Sequence, residues 1–362
     1  MIDPPWLSYL LAWLTAAFVA LFLTPLAIKI AARFGFFDRP GGHKSHAHPT
    51  PYLGGLAMVG GFVVAVGGAA ILRPPVSGLD QLVAILLLGL ALSAVGLVDD
   101  LRGLSVRVRI LAQLLAAAAL WAFDVRVQLV DILWIDAALT VVWVVGIANA
   151  MNLLDNMDGL SAGIAMIASM WFGALAAING QVLVGALAFA LAGCALGFLR
   201  QNRYPARIYM GDAGSLFLGV VLAAIGIKLQ FPELPRASAA LIPILVLTVP
   251  VLDTSLVVIE RLRHGLSPFQ GGRDHLSHRL VRIGLPIPVA VTTIGLLGFA
   301  HGWMALIVSR VDVATAYIAA GLVVIVDGLL LGLAASVPVY ENSRGRDLVV
   351  VDRGRLSEEP PR

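Results

Sequence analysis

The residues best suited to chemistry are carboxylates, and they fall in three groups. Asp99 and Asp100 are adjacent; Asn149, Asn152, Asp155 and Asp158 follow one another at steps of three; Asp212 sits in the run Met210-Gly-Asp-Ala-Gly-Ser215. Hard oxygen donors gathered this way suit Mg²⁺, with Mn²⁺ as the alternative, because such an ion takes one or two carboxylates and completes its shell with water and phosphate oxygens. Zinc is a poor match, since the one cysteine, Cys194, lies in an apolar run away from these groups. Lys44, Arg107, Arg109, Arg273 and Arg279 supply the positive charge that phosphates need. Carboxylates, a divalent cation and basic clamps are together the parts of a phosphoryl-transfer site. Each group alone has a plainer reading, as a solvated helix end, a turn with an N-cap, or loop surface. Their joint occurrence is what calls for chemistry.

The elements that must position them are membrane helices. The chain has 362 residues, 59% hydrophobic and 13% charged, with a mean hydropathy of +0.91; a soluble domain carries roughly 25% charged residues. Eleven apolar runs approach the ~18 to 20 residues that a bilayer demands: 6–28, 53–72, 81–98, 108–123, 132–149, 160–178, 181–199, 215–231, 238–260, 286–308 and 313–335. This predicts an all-α polytopic integral membrane protein with about eleven transmembrane helices. Residues 1–340 form a single transmembrane catalytic domain and 341–362 a flexible, charged cytoplasmic tail. Only Asp3 precedes the first run, with no Lys or Arg, so 6–28 reads as a retained span and not a cleaved signal peptide. A single cysteine excludes an intramolecular disulfide framework.

An odd number of spans puts the termini on opposite sides, and basic residues decide which. Connections after odd-numbered spans, with the C-terminal tail, hold twenty of the Lys and Arg residues; the other side holds five. The expected topology is N-terminus outside and C-terminus in the cytoplasm, in the inner (plasma) membrane. The basic pI of 9.2 then belongs to the cytoplasmic face and its anionic partners, and gives no reason to invoke nucleic acid. Five polar islands share that face: Asp38 to Gly55, Asp99 to Arg109, Asn149 to Leu160, Arg203 to Ser215, and Ser267 to Arg282. Polar groups in hydrocarbon cost several kcal/mol unless partnered, so islands collected at one membrane surface describe an enzyme working there. Three-residue steps drift about 60° each on a helix, so the helix carrying Asn149 is expected to end near Asp155 if both halves of its motif are to face one substrate.

These residues resemble, in order, the motifs of the polyprenyl-phosphate N-acetylhexosamine-1-phosphate transferases (glycosyltransferase family 4), the superfamily that includes the phospho-MurNAc-pentapeptide translocases. The likeness covers roughly residues 6 to 335. Asp99-Asp100 is similar to the paired-Asp motif, Asn149-x-x-Asn152-x-x-Asp155-x-x-Asp158-Gly159-Leu160 to the Asn/Asp signature, Met210 to Ser215 to the Gly-Asp-x-Gly-Ser motif, and His275-x-x-His278-Arg279-Leu280 to the His-rich loop. The resemblance implies transfer of a sugar 1-phosphate from a UDP-N-acetylhexosamine to undecaprenyl phosphate within the lipid bilayer. UMP would be released and a lipid-pyrophosphoryl sugar formed, the starting unit of a cell-envelope glycan. It further implies Asp212 and Asn152 as Mg²⁺ ligands with Asp155 close by, and Lys44 and Arg109 as phosphate clamps. Asp158 and Gly159 would face the uracil, Tyr209 would stack on it, and His275, His278, Arg279 and Arg273 would engage the donor's diphosphate or sugar. Asp99 is the candidate to deprotonate or orient the lipid phosphate, with Asp100 in support, and a homodimer is compatible with the likeness. A phosphate monoester has its second pKa near ~6, so at neutral pH the acceptor hardly needs a base.

The chain departs from the family pattern at several positions. Asn156 stands where Gly is usual, Ser277 replaces the middle His of a His-x-His-His run, Arg109 replaces Lys, Val106 replaces Pro and His43 replaces Arg. The muramoyl-pentapeptide branch carries a His-His-His-Phe-Glu run that is absent here, which places the chain nearer the GlcNAc-1-phosphate branch. The rival class, an ion-coupled transporter, expects charges near the bilayer midplane rather than islands on one face. A CDP-alcohol phosphotransferase expects its Asp clusters on neighbouring helices, close in sequence. Two intramembrane acids stand outside the islands: Asp253, read as structural or supporting, and Asp327, for which the sequence offers no partner.

Overall fold

The computed structural model describes residues 5–38, 49–72 and 74–339; Lys44 with its neighbours 39–48, Arg73 and the expected tail 341–362 lie outside the described residues. Within them the chain folds as α1 (Pro5–Phe34), α2 (Gly54–Leu72), α3 (Leu79–Arg102), α4 (Val106–Ala122), α5 (Leu133–Leu154), α6 (Leu160–Ile178) and α7 (Val182–Asn202). There follow α8 (Gly211–Lys228), α9 (Arg236–Val246), α10 (Thr248–Arg263), α11 (Leu276–Arg282), α12 (Ile287–Val308) and α13 (Val313–Ala335). A two-residue antiparallel pair, β1 (Phe37–Asp38) with β2 (Thr50–Pro51), is registered Phe37 to Pro51 and Asp38 to Thr50.

Each apolar run forms a helix. Among the described residues nine helices are long and apolar enough to cross a membrane, and α9 with α10, bent by 76°, make a tenth if the pair is one span. The remaining run, 108–123, forms α4, which has 17 residues and rises only about 26 Å, short of the ~30 Å hydrocarbon layer. The protein is therefore an all-α membrane protein with nine to ten spans by length, where eleven were expected. The break at Leu247 falls between Pro243 and Pro250. Proline cannot continue a helix but is tolerated in a first turn, where its missing N–H has no partner to lose. Pro250 is the third residue of α10, so the helix restarts just ahead of it.

The bundle is built around α8, which packs on α2, α3 and α5 and is buried along most of its length. Glycines allow that. A Cβ at Gly96 of α3 would lie 2.3 Å from the Asp212 carbonyl oxygen, one at Gly219 of α8 would lie 2.5 Å from Ala148 Cα in α5, and one at Gly55 of α2 would lie 2.3 Å from the Gly214 nitrogen. In lipid no hydrophobic gain drives helices together, and small residues that let backbones touch take its place. The contact at Gly96 sets Asp99 and Asp100, one turn further along α3, against the start of α8. A second small-residue seam joins α1 to α7, with Ala12, Ala16, Ala20, Thr24, Ala27 and Ala31 buried. Gly193 and Gly197 of α7 come up against the carbonyls of Trp13 and Ala17.

The least enclosed helix, α13, is pinned by polar contacts. In α12, His301 Nδ1 lies 2.8 Å from the Leu297 carbonyl oxygen and Nε2 lies 3.1 Å from Asp327 Oδ1, with both side chains buried. A carbonyl only accepts, so Nδ1 is the donor to Leu297, and Nε2 faces the Asp327 carboxyl. This is the partner that Asp327 lacked in the sequence. At the other end of α13, Arg279 NH1 donates to the carbonyls of Ala334 and Val337.

Gly96→Ala should lower the melting temperature of the detergent-purified protein and its activity together, since overpacking costs about 1–3 kcal/mol and the obstacle is backbone. Gly67→Ala, whose Cβ would meet nothing within 4 Å, should be neutral or slightly stabilising. Equal melting temperatures for the two variants would contradict this packing account.

Candidate active site

The start of α8 is where four of the five polar islands meet. Gly211 adopts φ of +69°, a left-handed conformation that glycine reaches without penalty, and a Cβ there would lie 2.5 Å from Asp100 Oδ2. Asp100 fills that space. Its Oδ1 accepts from the Asp212 N–H at 2.9 Å and its Oδ2 from the Ala213 N–H at 3.2 Å. A carboxylate from α3 thus caps the positive end of α8, the favourable position for negative charge on a helix. Asp100 is held as an anchor for Asp212.

Asp212, in the first turn of α8, faces two donors: Asn152 Nδ2 at 2.7 Å from Oδ1 and Arg109 NH1 at 3.2 Å from Oδ2. The same Arg109 nitrogen lies 2.9 Å from Asp99 Oδ2, and Asp99 Oδ1 accepts from the Leu104 N–H. Both carboxylate oxygens of Asp99 are therefore engaged, and its visible work is to hold Arg109. Asn152 also donates to Ser215 Oγ at 2.9 Å.

The helix break expected near Asp155 is present. The α5 helix ends at Leu154 with Asp155 as its C-cap, and Gly159, at φ of +75°, opens α6. Asp155 retains some exposed surface, but its carboxylate meets no hydrogen-bond donor among the described residues. Desolvation first, then the negative charges of Asp212, Asp100 and Asp158, push its carboxyl up to about 8. An orphaned carboxylate beside two others, with Arg109 bridging only Asp99 and Asp212, is a donor set short of a cation. No three His, Cys, Asp or Glu side chains form a ready cage among the described residues. The donors here are hard carboxylate oxygens, the kind that suit Mg²⁺, which needs only one or two carboxylates and draws its other oxygens from water and phosphate.

Beyond the break, Asp158 Oδ2 accepts from the Ala206 N–H at 2.8 Å, the Gly159 N–H donates to Asn202 Oδ1 at 3.1 Å, and Asn202 Nδ2 donates to the Ile208 carbonyl at 2.9 Å. Asp158 and Gly159 line a cavity of about 760 Å³ with Arg200, Arg203, Tyr204 and Arg207 at its polar end and residues of α6 and α12 along its apolar side. Tyr209 is half-buried between Pro51 and Gly54, its N–H donating to the first (2.8 Å) and its carbonyl accepting from the second (3.0 Å). Burial and the neighbouring charge of Asp158 push its hydroxyl up to about 12. The strand pair and Gly54-Gly55 thus fasten the segment on either side of residues 39–48 to Tyr209 and Met210, two residues before Asp212.

The His loop has its own frame. Asp253 Oδ2 lies 2.7 Å from His275 Nδ1 and Oδ1 accepts from the Leu276 N–H at 2.8 Å. A carboxylate accepts, so Nδ1 is the donor and the buried ring is held in place by Asp253. Asp253 takes the supporting role expected for it. Asp274 pairs bidentately with Arg261, 2.7 Å for each bond, both side chains buried. Arg279, 1% exposed, spends its guanidinium on the carbonyls of Asp274, Ala334 and Val337 and on Glu260. It is a strut behind the loop, and the structure does not bring it to the cleft. His278 lies half-buried beside His275, and burial, then the positive charges of His275 and Arg273, hold its imidazole down at about 4. Arg273 is half-buried in the loop before it, and Arg107 is exposed on α4.

Two supporting residues escaped the sequence reading. Gln113 of α4, 1% exposed, exchanges amide hydrogen bonds with Asn149, so Asn149 serves the α4–α5 contact rather than the cleft. Asn202 joins the Asp158 turn to the loop after α7. Gln113 is a lone amide in an apolar helix, whereas Asn202 is one of several polar residues in the run Arg200 to Arg203 and does not stand out there.

The depressed His278 has a consequence for stability. Its folded form excludes a proton that the unfolded chain takes up below about 6.5, so its share of stability is complete above that pH and is lost as pH falls toward 4. The melting temperature of His278→Gln should therefore fall less than that of the wild type between pH 6.5 and 4. Parallel curves would show that His278 is protonated in the folded protein.

Residues 82–230 match Glycosyl transferase family 4, a stretch that holds the Asp, Asn and Arg109 cluster. Over 322 residues the chain is 30% identical to a Bacillus subtilis (strain 168) protein named "Probable undecaprenyl-phosphate N-acetylglucosaminyl 1-phosphate transferase", covering 86% of this chain and 88% of that one. It is 34% identical over 306 residues to a decaprenyl-phosphate N-acetylglucosaminephosphotransferase of Mycobacterium tuberculosis (strain CDC 1551 / Oshkosh), 76% of each chain. It is 31% identical over 278 residues to a phospho-N-acetylmuramoyl-pentapeptide-transferase of Geobacillus kaustophilus (strain HTA426), 70% of this chain and 82% of that one. With motifs, site and near-complete coverage in agreement, the chain belongs to glycosyl transferase family 4.

Proposed function

We propose that this protein transfers GlcNAc-1-phosphate from UDP-GlcNAc to undecaprenyl or a related polyprenyl phosphate, releasing UMP and leaving a lipid-pyrophosphoryl sugar. The observation that carries the reading is the convergence of Asp99, Asp100, Arg109, Asn152, Asp155 and Asp212 at one end of a membrane bundle. Their partners come from α3, α4, α5 and α8, far apart in the chain. An oxygen of the lipid phosphate attacks the sugar-bearing phosphorus of the donor, the bond to the UMP oxygen breaks, and UMP leaves with the electron pair. All the reacting groups are anionic, so the site must offset their repulsion and hold them in line.

Asp212 and Asn152, with Asp155 beside them, are the residues that would hold Mg²⁺, or Mn²⁺ in its place. The ion would neutralise charge on the donor diphosphate. Arg109, fixed by Asp99, presents a guanidinium to phosphate, and Lys44 is assigned the same task. Since the acceptor is largely dianionic at neutral pH, Asp99 acts through Arg109 and not as a base. Asp158, Gly159 and Tyr209 form the nucleotide side, and His275, with His278 and Arg273, the diphosphate and sugar side. Arg279 supports that loop from behind. The distribution of basic residues supports a cytoplasmic site, N-terminus outside and C-terminus inside, with α4 completing eleven crossings.

A muramoyl-pentapeptide donor is disfavoured by the His275-Leu-Ser-His278-Arg279 loop, which lacks the His-His-His-Phe-Glu run. A transporter reading is disfavoured, because the two intramembrane acids are partnered, Asp327 with His301 and Asp253 with His275.

Purified protein given UDP-GlcNAc, undecaprenyl phosphate and Mg²⁺ should release UMP, and faster than with UDP-MurNAc-pentapeptide. No release with any UDP-N-acetylhexosamine would refute the function. Asp212→Ala should lose about 10²-fold or more in kcat while expressing and melting like the wild type. Near-full turnover in that variant would remove Asp212 from the metal site.

A further inference from the structure

We propose that the hydrogen bond between Ser277 and Asn156 is a positioning bridge that sets the gap between the carboxylate wall and the histidine wall of the site, and so governs use of the nucleotide-sugar donor. The proposal rests on the transferase reading above. Ser277 Oγ lies 2.6 Å from Asn156 Oδ1, across 121 residues of chain. The other end of the amide, Asn156 Nδ2, lies 2.8 Å from the Leu153 carbonyl oxygen. A carbonyl can only accept, so Nδ2 is the donor there, Oδ1 is the acceptor, and the Ser277 hydroxyl must give its proton to Asn156. The direction of the whole chain, from α11 through Asn156 to the last turn of α5, is thereby fixed.

Each partner sits between residues of the site. Asn156 follows Asp155 and precedes Asp158; Ser277 lies between His275 and His278. On its far side the His loop is held by Asp253, through the His275 ring and the Leu276 N–H, so the bridge fixes the near side. Ser277 is 1% exposed, so a hydroxyl left there without its acceptor bears a desolvation cost. A glycine at 156 would offer Ser277 no acceptor. A donor whose nucleotide lies along Asp158 and whose sugar phosphate lies by the histidines must span this joint, whereas the lipid acceptor need not.

The test uses the full-length purified protein and the variants Ser277→Ala, Asn156→Gly, their double variant and Ser277→Thr. UMP release and equilibrium binding of UDP-GlcNAc are both measured. Each single variant should lose about tenfold in kcat/KM for the donor and weaken UDP-GlcNAc binding, with the KM for polyprenyl phosphate unchanged. The double variant should be no worse than either single, because both remove the same bond. Ser277→Thr, which keeps the hydroxyl, should recover most of the loss. Additive losses, an equal rise in the acceptor KM, or Ser277→Thr as poor as Ser277→Ala would overturn the bridge. A wild type that releases no UMP, yet binds UDP-GlcNAc with this same variant pattern, would overturn the transferase reading and keep the bridge.

Discussion

Negative charge collected at the end of a membrane bundle is the constraint on which the rest of this structure depends. Asp99 and Asp212 share one nitrogen of Arg109, Asp100 is spent on the first N–H groups of α8, and Asp155 has its carboxyl pushed up by burial and then by the charges around it. Carboxylates this close are unfavourable unless something positive joins them. The fold meets part of that need with Arg109 and with the positive end of α8. The remainder is a standing requirement for cations, which a divalent ion bound with a diphosphate is suited to meet.

Close helix packing is what makes such a cluster possible. Gly96, Gly55 and Gly219 let three helices touch α8 at backbone distance, and Asp99 and Asp100 lie within one turn of the first of these contacts. The outer helices bear a different load. Arg261, Asp274, Asp253 and Arg279 form a buried polar frame that carries the His loop, while His301 and Asp327 join α12 to α13 in the apolar layer. Charges are thus used twice, once paired and structural within the bundle, once incompletely paired at its mouth.

Much of this was legible in the sequence, because hydropathy and spacing are local properties. The apolar runs, the polar islands, and the break of α5 near Asp155 all follow from which residues adjoin which. Pairing across the chain is not local. That Asn149 would spend its amide on Gln113, that Asp327 would meet His301, or that Arg279 would turn its guanidinium to main-chain carbonyls depends on which helix faces which. A cation near a motif reads the same in sequence whether it points at substrate or at a helix end. Length was also ambiguous: α4 is helical as expected, yet its 17 residues leave it short of a comfortable span. At 247 the bend lies ahead of Pro250, since proline sits easily in a first turn and the break is displaced before it.

The central claim is that the carboxylates around Asp212 form a divalent-cation site, and Mn²⁺ binding tests it most directly. Purified wild type and Asp212→Ala would be titrated with Mn²⁺ in the presence of UDP, with free Mn²⁺ read by electron paramagnetic resonance against a protein-free control. One bound Mn²⁺ per chain, displaced by Mg²⁺ and lost in Asp212→Ala, is the predicted result. Wild type that binds no Mn²⁺ above the control, or a variant that binds it equally well, would contradict the claim.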